Sequence, residues 1–214
     1  KLSQQQKIAY GELKENCRVI IQDEMASYNN KLTEIIKLQQ ACNGFIKTDE
    51  GQIIEFPCGK LDELMNILDE VDGKVIIWAN FVYNIEKIIK TLEDKFGTMS
   101  VVSIYGDVPV VVRNSAVKNF QENKKVRFFV GNPSTGGYGL NLTKANTVIY
   151  FSNSFNLEVR QQSEDRAHRI GQKKSVTYID LIAKGTIDEF VLKSLNQKLT
   201  LSAQTLGEEV LKYL

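Results

Sequence analysis

The chain has one histidine, three cysteines, three prolines and one tryptophan among its 214 residues. With a single histidine, and with Cys17, Cys42 and Cys58 far apart, no zinc site of the usual Cys/His spacings can be drawn. An odd, scattered set of three is not a disulfide framework either, so free thiols in an intracellular protein are expected. Charge of one sign is also lacking, because 27 Lys and Arg against 26 Asp and Glu leave a net charge of +1. There is no global basic footprint, and any nucleic-acid contact must come from a local patch. No run approaches the roughly 20 apolar residues that cross a bilayer, so no membrane partner is expected. The opening "KLSQQQKIAY" has neither an initiator Met nor a signal-peptide core, and reads as the start of a fragment or trimmed chain.

Nucleotide-binding signatures are missing too. A phosphate loop of the form GxxxxGK[ST] does not occur, and "GQKKS" at 171–175 has the wrong glycine spacing and precedes a strand. "DEGQ" at 49–52 imitates an ATPase acidic pair but follows polar residues, where a hairpin turn is expected. In "GGYGLNL", counting G-x-G-x-x-G from Gly137 puts Leu142 where the third glycine belongs, which speaks against a dinucleotide-cofactor enzyme. Those glycines instead allow a turn or a close backbone approach to phosphate.

What is present is an ordinary globular composition, 43% hydrophobic and 25% charged. Ser3 and Gln6 form a capping box that opens a long first helix, with Tyr10, Leu13, Cys17, Ile20 and Ile21 at helical spacing. A second helix from about Lys31 carries Leu32, Ile35, Ile36 and Leu38 and stops near Gly44, and "GFIKTDEGQIIEF" follows as a short hairpin. "KLDELMNILDEVDG" is a further helix with Leu61, Leu64, Leu68 and Val71 as its stripe and Gly73 past its end. From Lys74 the texture changes. "KVIIWAN", "VVSIYG", "VRFFVGN", "NTVIYFS" and "VTYIDLIA" are β-branched and aromatic runs, with helical patterns at 81–96, 112–123 and 156–169 between most of them. Apolar strands alternating with amphipathic helices predict an α/β fold, a parallel sheet with helices on both faces, preceded by a helical appendage. A last helical stretch runs from Thr186. In such sheets ligands meet the loops at the carboxyl ends of the strands.

One stretch stands out by its charge. On a helix continuing through "QQSEDRAHRIGQKK", Gln162, Arg166 and Arg169 would fall at i, i+4 and i+7 on one face, with Asp165 and His168 on neighbouring faces. Neither arginine has an acid on that stripe, so both charges must be met from elsewhere. A planar, permanently charged fork suits phosphate oxygens.

The same stretch resembles motif VI of the SWI/SNF family of helicase-like ATPases, Q-x-x-D-R-x-H-R-I-G-Q. "NPSTGGYGLNLTKANTVIYFS" resembles the family's motif V and "KVIIWANFVYNIEKI" its motif IV. "YGDVPVVVRNSAVKNFQ" is similar to the intervening segment, and "KGTIDEFV" to the closing element. "KLSQQQKIAY" and "KLTEIIKLQQACNGF" resemble the helical lead-in to the second lobe. The likeness is collinear over nearly the whole chain.

The resemblance implies one of two RecA-like lobes, with ATP between the lobes and duplex DNA tracked across both, which members of the family usually do without unwinding it. Residues 1–57 would be a helical protrusion with a hairpin, 58–185 the RecA-like lobe and 186–214 a C-terminal helical element. The phosphate loop and acidic motif belong to the family's first lobe, which would hold ATP and its Mg2+. Arg166 and Arg169 would be the arginine fingers, aligned by Gln162. Gly137, Gly139, Asn141 and Asp165 would border the nucleotide. Asn80, Gly106 with Asp107, Asn132, Ser134 and Thr135 would meet DNA phosphates without reading sequence. One departure concerns motif V, where the family's usual Thr falls on Pro133, which has no hydroxyl. The short path from motif IV to V resembles compact bacterial or phage members. Expected partners are DNA and the N-terminal lobe of the same protein, the chain being a monomer in the cytoplasm of a bacterium or phage-infected cell, or in the nucleus if eukaryotic. The other reading is a stand-alone, non-catalytic module binding nucleic acid or protein.

Overall fold

The computed structural model describes residues 1–106, 108–136, 139–169, 172 and 175–211, with side chains described for these except 136 and 200–211. Five strands form one parallel sheet: β5 (Lys74–Trp78), β6 (Val101–Ile104), β7 (Phe128–Gly131), β8 (Ala145–Tyr150) and β9 (Thr177–Asp180). Its order is β6-β7-β5-β8-β9, and all four pairings are parallel. Helices α3 (Gly59–Glu70), α4 (Val82–Phe96), α5 (Val110–Glu122) and α6 (Leu157–Glu164) connect or flank the strands. This is the predicted RecA-like α/β sheet.

The apolar runs read as strands because both faces are covered. Side chains alternate along a strand. Val75 and Ile77 therefore point to one face, where Leu64 and Leu68 of α3 and Ile85, Ile88 and Leu92 of α4 close over them. Ile76 and Trp78 point to the other, against Phe120 of α5 and Ala167 beyond α6. Each fully buried Val, Ile, Leu or Phe contributes about 1.5–3 kcal/mol. Gly131 ends β7 where no side chain fits, since a Cβ would stand 2.7 Å from the Ile104 carbonyl oxygen and 3.2 Å from the Trp78 ring.

The N-terminal part differs from the sequence expectation. Helix α1 (Gln4–Asn16) begins with the predicted Ser3–Gln6 capping box but ends at Cys17, whose φ of 58° is left-handed. Arg18–Ile21 is then strand β1, paired with β2 (Glu24–Ser27) across Gln22 and Asp23, both at positive φ. That two-residue turn matches the twist of a hairpin. Ile20 is thus exposed and Val19 is buried against Leu13 and Ala9. In α2 (Lys31–Cys42), Leu32 is 70% exposed, so the inward face is Leu38 and Ala41. The predicted hairpin is β3 (Phe45–Lys47) with β4 (Ile53–Glu55), and Asp49 in its turn accepts from the Ser27 backbone and hydroxyl.

Helix α7 (Ile187–Leu211) returns to this part, and the Ile187 amide donates to the Tyr10 hydroxyl at 2.9 Å. At the joint, Lys60 Nζ lies 2.5 Å from Asp188 Oδ2, with both side chains 6% exposed. Lys60 also donates to Asn43 Oδ1 and the Phe151 carbonyl, and Asp188 accepts from the Ala183 amide. The three cysteines are free thiols, with Cys17 exposed and Cys42 buried. No described helix is long and apolar enough to cross a membrane.

Candidate functional site

The strand order brings the predicted loops to one edge of the sheet, at the carboxyl ends of β5, β6 and β7. Asn80 follows β5, and its amide donates to Ser152 Oγ at 2.9 Å. Asn132 follows β7 and donates from Nδ2 to the Asn80 carbonyl at 2.9 Å. Its Oδ1 accepts from the Ser134 amide at 2.8 Å, capping the short 3-10 turn Pro133–Gly136. Proline suits the first position of such a turn, where its missing N–H is not called on. Pro133 is buried, so the hydroxyls available at this edge are those of exposed Ser134 and half-buried Thr135. Thr135 spends its proton on the Asn132 carbonyl at 2.8 Å. Gly106, after β6, is exposed at φ +63°, with open space where a Cβ would sit. Asp107 lies outside the described residues.

The second cluster follows α6. Sequence periodicity carries this helix to 169, but it stops at Glu164. The Glu164 carbonyl accepts from the amides of both Ala167 and His168 at 3.1 Å. The Arg166 carbonyl accepts from the Leu142 amide at 3.0 Å, so a distant segment occupies the group that a longer helix would use. The shared face at i, i+4 and i+7 is therefore corrected. A turn, not a continuing helix, brings Gln162, Asp165, Arg166, His168 and Arg169 around one cleft of about 660 Å³ with Asn141 on its far side.

The electrostatics of that cleft are unbalanced. Arg166 is only 8% exposed, and its Nε is buried with no hydrogen-bond partner among the described residues. Burial lowers its pKa, the neighbouring Arg169 charge lowers it further, and Asp165 opposes the shift. Arg169 is exposed and donates from Nη1 to the Gly139 carbonyl at 3.1 Å. Gln162 donates to Glu158 at 2.9 Å, so its amide is turned toward its own helix. Asn141 Oδ1 accepts from Thr143 and Gln121, which holds the glycine-rich segment to α5. Gly137 lies outside the described residues. A buried guanidinium whose Nε has no partner among the described residues, beside a second guanidinium, makes a site suited to an oxygen-rich anion. No group of three or more His, Cys, Asp or Glu side chains that could hold a metal occurs among the described residues.

The arrangement brings together Gln162, Asp165, Arg166, Arg169 and Asn141, with Gly139 joined through Arg169. It groups Asn80, Gly106, Asn132, Ser134 and Thr135 separately. Asn80 Nδ2, like Arg166 Nε, is buried without a partner among the described residues. Sequence reasoning missed the groups that fix these loops. Gln172 donates to the carbonyls of Thr143, Ala145 and Ala167, tying the turn after α6 to the start of β8. Arg160 pairs with Glu164 and Asp180 beside α6, and the sequence signal for this cluster was Glu164 four residues after Arg160.

Residues 59–171 match the family described as helicase conserved C-terminal domain. An uncharacterized ATP-dependent helicase of Mycoplasma genitalium is 34% identical over 85% of this chain and 18% of its own length. The protein CHROMATIN REMODELING 19 of Arabidopsis thaliana is 31% identical over 88% of this chain and 25% of its own. The chain thus spans a quarter or less of these curated relatives. Among solved structures, the crystal structure of the C-terminal part of the Fun30 ATPase domain superposes with a TM-score of 0.59 at 32% identity, covering 64% of this chain and 45% of that one.

Proposed function

The chain belongs to the helicase conserved C-terminal domain family, as a C-terminal lobe of the SWI/SNF type in superfamily two, and from that premise we propose that it is the second motor lobe of an ATP-dependent DNA translocase. Arg166 and Arg169 meet the γ-phosphate of ATP held, with its Mg2+, on a first lobe. Gln162 turns from Glu158 to align them, while Asp165, Asn141 and the backbone at Gly137 and Gly139 border the nucleotide. What supports this reading above all is the buried Arg166 Nε without a partner, next to a second guanidinium in an open cleft. Leaving a buried guanidinium nitrogen without a hydrogen-bond acceptor costs free energy, and an anion in the cleft would supply that acceptor.

As charge builds on the transferred phosphoryl oxygens, the two guanidinium groups stabilise it. Such a contribution is worth about 10³–10⁵ in rate in other nucleotide hydrolases. The loops of Asn80, Gly106, Asn132, Ser134 and Thr135 face backbone phosphates of duplex DNA, with Ser134 and the loop amides as donors and Asn132 and Thr135 holding the loop in shape, positioning the lobe without reading sequence. The Leu142–Arg166 hydrogen bond joins the segment after those loops to the arginine turn, so lobe closure around ATP and movement of the DNA edge are mechanically linked. Alone, the chain turns over no ATP, because it has no phosphate loop.

The test is Arg169→Lys in the natural full-length protein. Lysine keeps the charge but cannot bridge two oxygens with a planar fork. The expected result is loss of most ATP turnover through kcat, with DNA affinity and melting temperature nearly unchanged. Turnover within about threefold of wild type, a gap under ~1 kcal/mol, would sink the assignment.

A further inference from the structure

Arg160, the arginine of α6, does not line the cleft, yet its side chain is tied to several neighbours close to it. Arg160 Nε donates to Glu164 Oε1 at 2.6 Å, Nη1 to Asn153 Oδ1 at 2.8 Å and to Asp180 Oδ1 at 2.5 Å, and Nη2 to Asp180 Oδ2 at 3.2 Å. Its guanidinium carbon stands 3.5 Å from the centre of the Tyr150 ring. Asn153 donates in turn to Asp180 at 2.7 Å, and the Tyr150 hydroxyl shares a 2.6 Å hydrogen bond with Ser163. Tyr150 and Asp180 are the last residues of β8 and β9, so one planar group fastens α6 to the ends of two strands. A fork with delocalised charge can chelate a carboxylate and stack on a ring together, which an ammonium cannot.

The place where Arg160 acts on α6 matters more than the number of bonds. Glu164, which it holds, is the last residue of the helix, and the Glu164 carbonyl anchors the turn through Ala167 and His168 and also accepts from the Tyr178 hydroxyl at 3.2 Å. Arg166 leaves the helix two residues later and is pinned on its other side by Leu142. We propose that Arg160 is a positioning residue: through Glu164, Asp180 and Tyr150 it holds the end of α6 at the angle from which Arg166 and Arg169 reach their anion. This rests on the finger reading above. It adds a requirement that the reading alone does not contain, since an arginine facing the sheet becomes necessary for turnover without touching nucleotide.

The experiment measures kcat and KM for ATP, together with thermal unfolding, on the natural full-length protein carrying Arg160→Lys, with Glu164→Gln and Arg169→Lys in parallel. For Arg160→Lys, kcat is expected to fall about ten- to a hundredfold, the range that a misplacement of about 1 Å produces, with KM within about twofold. Glu164→Gln removes the charge from one contact and leaves Asp180 and Tyr150 in place, so a smaller fall, about threefold, is expected. The deficit must persist well below the melting transition, where every molecule is folded. Recovery of wild-type kcat on cooling would assign Arg160 to stability alone and overturn the proposal. If Arg160→Lys does not fold, Glu164→Gln decides by the same criterion, and wild-type kcat in that variant overturns the proposal. If Arg169→Lys is inactive while Arg160→Lys turns over normally, the positioning role fails and the fingers stand. If Arg169→Lys is itself active, the finger reading has failed first, and the positioning role goes with it.

Discussion

Helix α6 and the turn after it are adjacent in sequence and opposite in chemistry. On the helix, Arg160 uses Nε, Nη1 and Nη2 on three neighbours and lies over a ring. On the turn, Arg166 has a buried Nε with no partner among the described residues, and like charge beside it. Lys60 and Asp188 repeat the first pattern deeper in the scaffold, as a buried pair with further hydrogen bonds to each member. The contrast teaches how to separate structure from site. Where charges are closed upon one another they hold the fold, and where a buried polar atom has no partner among the described residues the site is open to a ligand.

The sharpest way to break this contrast is Arg166→Met. In the full-length protein, ATP turnover should fall about 10³-fold or more, whereas the melting temperature should hold or rise because a buried nitrogen without a partner among the described residues is gone. A drop in melting temperature with turnover intact would reverse the comparison. Next in size is Lys60→Met, which leaves the buried Asp188 carboxylate without its cation, held by the Ala183 amide. Urea unfolding should show a loss of about 3–5 kcal/mol, much of it restored by adding Asp188→Leu. If the double variant is no more stable than the single one, the pair is not the closed unit described. A smaller effect is expected at the DNA edge. Asn80→Ala should weaken duplex binding by about fivefold, near 1 kcal/mol, without changing the salt slope, since no phosphate charge is neutralised by an amide. A flatter slope in titrations at several salt concentrations would contradict that role. The mildest test leaves activity alone. Burial beside Asp188 pushes the Cys42 thiol up to about 12. Its thiolate fraction at pH 8 is then about 10⁻⁴, so alkylation of the folded chain should mark exposed Cys17 and spare Cys42. Equal labelling of both would show the scaffold to be open there.

The strands were legible in the sequence because burial on both faces writes an uninterrupted apolar run, as in "KVIIW" and "RFFVG". The boundary after α1 was not. Val19, Ile20 and Ile21 fit a helical stripe as well as a strand, and the hairpin turn is made by Gln22 and Asp23 rather than by the Asn-Gly pair that would announce it. The arginines of the candidate site were legible from their motif, and the cleft does gather them. Their geometry was not, because the helix ends where Leu142 takes the Arg166 carbonyl, a contact made by the fold and not by neighbours in sequence. The Arg160 cluster was hidden for the same reason: Glu164 aside, its partners Tyr150, Asn153 and Asp180 come from the ends of β8 and β9 and the loop after β8.

The strand order also shapes how the chain can be made. The central strand β5 is flanked by β7 and β8, both of which leave the ribosome later than it does. At about 5–20 residues per second, Val75 to Trp78 wait several seconds with α3 and α4 as their available cover and two unpaired edges in water. Helices can form early, but the sheet cannot close at its middle until the glycine-rich segment has been synthesised and β8 follows it. Nascent chains halted before β8 should therefore be the species that chaperones hold and that aggregate most readily.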